Sequence, residues 1–290
     1  FKPQFAALTA TLFILVNMPI LRTLMYVQVN LHVINFIFLG ILLYKDRPFL
    51  SALAMALAVH MKASPAVLVL AFLLEFNWKW LTYFAINILL VTAFTFALYG
   101  LNPYFDFINN FLLLNAPRSL SLHDNSFDSV IGMTLSYINA SPSIVRTLVY
   151  LAKGTTALTA LILAFRARTY YPEKEIGTKI FNSIVPLFMA MTLFSPLIWE
   201  HHGIFLTLPF ILLIKKLESP SEWMSFAAAY LFIFLIPTFD YFPWSYERLA
   251  GMLIMLGLAW VTLNRKDSHY FTAANQWAES LFISERQTST

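Results

Sequence analysis

Ten runs of apolar residues pattern the chain, at 4–20, 28–44, 48–61, 65–77, 80–99, 145–166, 179–195, 202–214, 223–239 and 247–263. The breaks between them carry proline, glycine and charge, the residues that end helices. A helix that crosses a bilayer needs about 20 apolar residues, with a range of about 17–25. Several runs are shorter than that. The pattern predicts an all-α fold, a polytopic transmembrane bundle of about ten membrane segments, some of them short or broken. It predicts one transmembrane domain over 1–263 with an outer loop at 100–144, followed by a cytoplasmic polar tail at 264–290.

Alternating the segments sorts the charges. With the first segment running outward, one side of the membrane keeps Arg22, Lys62, Arg118, Arg146, Lys153 and Arg248, and the other collects the remaining thirteen of the nineteen lysines and arginines. Basic residues gather on the cytoplasmic side, so the smaller set faces outward. The polar clusters then fall on that outer side too: Tyr26–Asn30, His60–Pro65, the loop from Gly100 to Ser143, and the elbow Ser195-Pro196-Leu197-Ile198-Trp199-Glu200-His201-His202. Any chemistry belongs to the extracytoplasmic face.

Helix length sets depth. Thirteen residues separate the elbow at His202 from Ile214, next to Lys215 at the inner boundary. At about 1.5 Å per residue that is about 20 Å, against a hydrocarbon core about 30 Å thick. Pro48 to Met61 gives a similar length, and Gln28 to Tyr44 gives about 25 Å. Three segments therefore stop short on the same side. Non-helical backbone at membrane depth survives where protein covers it or where it lines water, which implies one recessed polar cavity opening outward. Local thinning of the bilayer is the alternative.

Composition sharpens the class. Hydrophobic residues make up 59% of the chain, mean hydropathy is +0.68, and charged residues are 12%, about half the fraction of a soluble domain. There is no cysteine, which removes disulfides, thiolate catalysis and cysteine metal sites. The net charge of +4 sits at helix ends rather than on one water-facing surface, which argues against a nucleic-acid partner. Within the outer loop, Phe105–Leu114 reads as an amphipathic helix lying along the interface. Asn115-Ala116-Pro117-Arg118 breaks it. His123–Asp128 then precedes a short apolar stretch, Val130–Tyr137, whose helix Asn125 or Ser126 would cap.

Four motifs in order, Gln28-Val29-Asn30, Lys62-Ala63-Ser64-Pro65, Asn125-Ser126-Phe127 and the Ser195–His202 elbow, resemble the polyprenyl-phosphate-mannose-dependent mannosyltransferases of the GT-C superfamily, in glycosyltransferase family 87. The resemblance covers roughly residues 10–265, and the elbow is its most specific piece. It implies a multi-pass plasma-membrane enzyme that moves a hexose, mannose first, from a polyprenyl phosphate to the hydroxyl of a lipid-linked or membrane-near acceptor. The displacement would be single and inverting, without a nucleotide or an obligatory metal. Two departures stand out. Val27 occupies a position where the family commonly has glycine, so the turn there is expected to differ, and Glu200 falls where the family varies. The family's catalytic aspartate lies in the first outer loop, which implies a position upstream of Phe1. A lipid-linked sugar transporter or flippase, or an O-antigen-type ligase, is the alternative function.

Under that resemblance Lys62 is the first choice for a phosphate contact, with snorkelling to the interface as its plain alternative. His201 and His202 would donate to phosphate or sugar oxygens, and either would titrate near neutral pH. One of the two is expected to be structural, bonding a backbone carbonyl. Adjacent residues on a helix point about 100° apart, which does not make a zinc pair. Arg118 would clamp phosphate or remain a solvated loop residue. Asn125, Ser126 and Asp124 would bind sugar hydroxyls or cap a helix, and Gln28 and Asn30 would line the cavity or bridge helices. Trp199 would stack on a sugar or anchor at the interface. Glu200 and Asp124 are weak candidates for an acid or base, Glu200 being equally suited to pair with a neighbouring base.

Overall fold

A computed structural model describes residues 11, 13–114, 122–170, 176–214 and 216–265. Among these residues there is no strand. The helices are α1 (Met18–Met25), α2 (Asn30–Leu43), α3 (Pro48–Met61), α4 (Val69–Leu74), α5 (Trp78–Tyr99), α6 (Asn102–Leu114), α7 (Phe127–Ser136), α8 (Pro142–Tyr170), α9 (Ile176–Leu193), α10 (Thr207–Ile214), α11 (Pro220–Tyr230) and α12 (Glu247–Leu263). Short 3-10 turns lead into three of them, Ser64–Leu68 before α4, Glu200–Leu206 before α10 and Trp244–Tyr246 before α12. A π turn, Leu231–Leu235, continues α11. The protein is an all-α membrane protein. Among the described residues three stretches are long and apolar enough to cross a bilayer, Trp78–Tyr99, Pro142–Ala167 and Trp244–Leu263, beside several shorter apolar helices.

The apolar runs become helices with two instructive exceptions. The run 4–20 does not continue as one segment where it is described. It breaks at Asn17, whose side chain accepts the Ile20 amide at 2.9 Å and caps α1. An asparagine in an apolar run satisfies an orphan amide better at a helix start than inside a helix. The runs at 65–77 and 202–214 begin as 3-10 turns rather than full helices.

α9 sits at the centre because both its faces are apolar. Val185, Met189 and Leu193, four residues apart, pack into a core shared with α10, α11 and α12, while Ile180, Ile184, Leu187, Phe188 and Met191 pack against α2, α3, α4 and α5. An all-round apolar helix is stable only when buried on all sides. α5 lies at the rim, with Leu89, Leu90, Phe94 and Phe96 exposed, as expected of a lipid-facing span. α3 is rich in alanine (Ala52, Ala54, Ala56 and Ala58 are all buried), so α2 approaches closely. At that crossing the Ser51 hydroxyl donates to the Gly40 carbonyl and accepts from the Trp80 indole at 2.9 Å. Trp80 stacks on Phe72, with ring centres 3.6 Å apart.

Close packing also fixes Gly203. A Cβ there would lie 2.8 Å from Cγ of Pro19 and 3.5 Å from Cγ2 of Ile233. The proline ring has no flexible end to yield. Gly203→Ala should therefore cost about 1–3 kcal/mol through overpacking, read as a lower unfolding midpoint in detergent. An unchanged midpoint would mean that α1 does not rest on the turn after the elbow.

The two ends of the bundle differ in chemistry. At one end, Arg265 pairs with Glu218 at 2.6 Å and also with Glu222, Arg166 donates to Asn264 at 3.0 Å, and Asn77 caps α5 while donating to Tyr44. The other end gathers the start of α2, the end of α3, the start of α7, the elbow and the start of α12. The candidate site is built there.

Candidate active site

Lys62 is the residue just past α3. Its chain is extended there, with φ of −154° and ψ of 123°, because Pro65 opens the next turn and the helix has ended. The side chain points inward. Its Nζ donates to Oδ1 of Asn30 at 2.9 Å and lies 5.0 Å from the ring centre of Phe205. Asn30 opens α2 and is 1% exposed. Among the described residues no carboxylate pairs with Lys62. Its neighbours are an amide oxygen and an aromatic face, which leave the positive charge without a counter-charge.

The elbow brings the two imidazoles to the same place. Residues 200–206 form the 3-10 turn, and both His201 and His202 lie close enough to Lys62 to feel its charge. Their own ring centres are 4.4 Å apart. Nδ1 of His202 accepts the Trp199 amide at 3.0 Å, and the His202 amide donates back to the Trp199 carbonyl at 2.9 Å. His202 is thus structural at one nitrogen, as expected of one member of the pair, although it accepts from a backbone amide instead of donating to a carbonyl. A ring whose Nδ1 accepts carries its proton on Nε2, so His202 remains a donor at its far side. His201 is 5% exposed, and its Nδ1 is buried without a partner, as is Nδ2 of Asn30. Buried polar atoms are normally satisfied, so these two groups have hydrogen-bonding capacity left for a partner from outside the described residues, as do others such as Asn17 Nδ2 and Asn182 Nδ2.

The outer-loop residues do different work from that expected of sugar ligands. Ser126 caps α7, its hydroxyl accepting the Ser129 amide at 3.3 Å. Asp124 accepts three bonds, from the Ser126 amide at 3.0 Å, the Ser126 hydroxyl at 2.9 Å and the Ile198 amide at 2.8 Å. Burial pushes its carboxyl above the usual range, and the bonds from Ile198 and Ser126 oppose that rise. The Asn125 amide donates to the Ile198 carbonyl at 2.8 Å, and its Oδ1 accepts the Arg248 amide at 3.2 Å. The loop therefore braces the elbow against α12. Arg118 lies outside the described residues, as does the tail from residue 266.

Glu200 is an ion-pair hub. Its two oxygens meet Arg22 of α1 and Arg248 of α12, each at 2.6 Å, and Oε1 also accepts the Thr238 amide at 3.2 Å. Arg248 is nearly fully buried and also bonds Glu247 at 2.6 Å, the Ile236 carbonyl at 2.6 Å and the Thr238 hydroxyl. Of the two readings of Glu200, partner to a base describes the geometry. The sequence reading passed over Arg22 and Arg248. Arginines at the edges of apolar runs, facing the same side as the elbow's single acid, are the signal that would have found them.

The turn before α2 also differs from expectation. Val27 has φ of +51° and is 90% exposed. The Gln28 amide reaches the Thr23 carbonyl at 2.9 Å and the Val27 amide the Leu24 carbonyl at 3.1 Å, the paired bonds of a Schellman helix end, which favours glycine at this position. The turn thus keeps the glycine form even though valine replaces glycine. It leads the chain through the half-buried Gln28 into Asn30. A β-branched residue in the left-handed region is strained, so Val27→Gly should stabilise the fold by about 1 kcal/mol, seen as a rise in unfolding midpoint. A fall would mean that the turn is not left-handed.

The site draws on α1, α2, α3, the loop before α7, the elbow and α12. The model of glycosyltransferase family 87 matches residues 2–196, well over half of the 290-residue chain. It takes in Gln28, Asn30, Lys62, Asn125 and Ser126 and stops just before Trp199, His201 and His202. No curated protein and no solved structure matches the chain. With an all-helical membrane bundle and one end built of inward-facing polar groups, this match places the chain in glycosyltransferase family 87, as a membrane glycosyltransferase.

Proposed function

We propose that the enzyme transfers a hexose from a polyprenyl-phosphate donor to an acceptor hydroxyl held near the membrane, on the extracytoplasmic side of the plasma membrane. The carrying observation is Lys62, a half-buried ammonium that bonds one amide oxygen and meets no carboxylate among the described residues. A buried charge is costly unless it is paired. A phosphate entering this end of the bundle would supply the missing negative charge, and a lipid-borne phosphate reaches such a recess along the headgroup plane. The orphaned Nδ2 of Asn30 and the Nε2 of His202, the ring nitrogen not bonded to Trp199, would add neutral donors. The sugar, mannose, follows the resemblance of the motifs.

The chemistry is then a single displacement. The acceptor oxygen forms a bond to the anomeric carbon on the face opposite the phosphate, the bond from that carbon to the phosphate oxygen breaks, and the hydroxyl proton passes to a base. The leaving polyprenyl phosphate gains charge as its bond breaks. Lys62 stabilises that charge more strongly in the transition state than in the bound donor, which is what catalysis requires. Neither Asp124 nor Glu200 is assigned as the base, since the first is bonded into the elbow and the second is held by two arginines. The sidedness rests on the bias of basic residues toward the opposite end.

The test is transfer in membranes carrying the full-length chain, supplied in parallel with radiolabelled polyprenyl-phosphate hexoses and nucleotide hexoses, and with short lipid-linked and alkyl glycoside acceptors. Product should form from the polyprenyl phosphates. Product formed from the nucleotide sugar in the absence of polyprenyl phosphate would reject this reading.

A further inference from the structure

We infer that Tyr26 and Trp199 are the two side walls of a subsite for the sugar ring of the donor, with His201 as its floor. This inference rests on the glycosyl-transfer reading above. Both aromatic rings stand edge-on to the same imidazole. The ring centre of Tyr26 is 6.1 Å from that of His201 at 71°, and that of Trp199 is 5.9 Å away at 72°. Tyr26 is 48% exposed and Trp199 45% exposed, while His201, which both rings approach, is 5% exposed. Two half-open aromatic faces thus rise from one buried polar base. The base carries a nitrogen, Nδ1, that no protein group satisfies.

That arrangement suits a pyranose. One face of a hexose ring carries only C–H groups, which are weakly positive and pack against the negative face of an aromatic ring. Its edges carry hydroxyls that need partners, and the orphaned imidazole nitrogen is one. His202 adjoins His201, with ring centres 4.4 Å apart, and the charge of Lys62 reaches both imidazoles. The sugar would lie over His201 with its anomeric carbon toward Lys62.

The walls are anchored, which separates them from aromatic side chains that merely sit at the interface. Trp199 is tied to the turn by its paired backbone and imidazole bonds with His202. Tyr26 is the residue that closes α1, and α1 is tied to the same turn twice: Nε of Arg22 donates to Glu200 at 2.6 Å, and the Thr23 hydroxyl donates to the His201 carbonyl at 3.4 Å. The Tyr26 hydroxyl lies beside the Arg22 guanidinium. Distance and tilt between the two walls are therefore set by Glu200–His202 rather than by lipid.

The experiment compares Tyr26→Ala, Trp199→Ala, Tyr26→Phe and Lys62→Met in membranes carrying the full chain. Three quantities are read: donor kcat and KM, inhibition by sugar-free polyprenyl phosphate, and competition by an alkyl hexoside that carries the sugar without phosphate. Tyr26→Ala and Trp199→Ala should each raise donor KM about tenfold and weaken the alkyl hexoside similarly, while inhibition by the bare carrier stays within about twofold. Tyr26→Phe keeps the ring face and should recover most of the alkyl-hexoside binding that Tyr26→Ala loses. Lys62→Met should show the opposite split, with the bare carrier weakened and the hexoside unchanged. If the alanine variants match the wild type, or weaken the bare carrier as much as the sugar-bearing ligands, the rings are interfacial anchors and the subsite is refuted. Alkyl-hexoside binding that depends on Tyr26 and Trp199, in a protein that transfers nothing from polyprenyl phosphates, would refute the donor reading and leave the subsite standing.

Discussion

Lys62→Met lowers glycosyl transfer about 100-fold and leaves the protein about as stable as before. The two halves of that expectation come from the same geometry. A hydrogen bond to a charged group contributes about 1.5–3 kcal/mol, and the phosphate bond to Lys62 would strengthen as the leaving group gains charge. Its loss should therefore appear in kcat as well as in KM. For the fold, the substitution removes a half-buried cation that, among the described residues, bonds Asn30, faces the Phe205 ring and meets no carboxylate. Replacing an uncompensated buried charge with an apolar chain of similar length is often neutral or stabilising. It leaves Oδ1 of Asn30 without its donor, a cost of about 1–3 kcal/mol that offsets the gain. Activity is measured as the rate of product formation at several donor concentrations, and stability as the unfolding midpoint in detergent. A variant that loses activity and stability together would make Lys62 a structural residue. Full activity would remove it from the site.

Glu200→Ala has the opposite signature. It should destabilise the fold by about 3–5 kcal/mol, because it strips the shared carboxylate from Arg22 and the nearly fully buried Arg248. Breaking one side of a buried pair is far more harmful than replacing the whole pair, since the remaining charge stays buried. The damage concentrates where α1, the elbow and α12 meet, so the imidazoles should lose their fixed positions too. Glu200→Gln keeps the shape and one accepting oxygen, and should recover part of the stability. An alanine variant with an unchanged unfolding midpoint would show that the two arginines are solvated and that the network does not hold the elbow.

These two residues also mark how far the sequence could be read. The bounds of α3 and α12 match the apolar runs 48–61 and 247–263, because proline, charge and an unbroken apolar stretch are local signals. Sorting polar residues by side was equally local, and it placed Lys62, Asn30 and the elbow at one end before any contact was known. The contacts themselves were not legible. Arg22 lies 178 residues from Glu200 and Arg248 lies 48 away, and nothing at such separations distinguishes an acid that reacts from one that is held. The same holds for Asp124 and Asn125, whose residue types suit a sugar hydroxyl as well as the backbone of Ile198. The bonds to that backbone decide which role the geometry serves. Val27 shows a further gap: the turn follows the helix-end hydrogen bonds, and the residue type alone pointed away from it.

The proposed function requires a water-reachable recess, facing outward, where a lipid-borne sugar phosphate would meet Lys62. Residues 1–290 hold no cysteine, so one introduced thiol is read against the unsubstituted chain, and the exposed Ala63 beside Lys62 is the place for it. In intact cells, Ala63→Cys should react with a small membrane-impermeant thiol reagent, and prior addition of polyprenyl-phosphate hexose should slow that reaction. Labelling that requires permeabilised cells, or that proceeds at the same rate with and without the donor, would contradict the account.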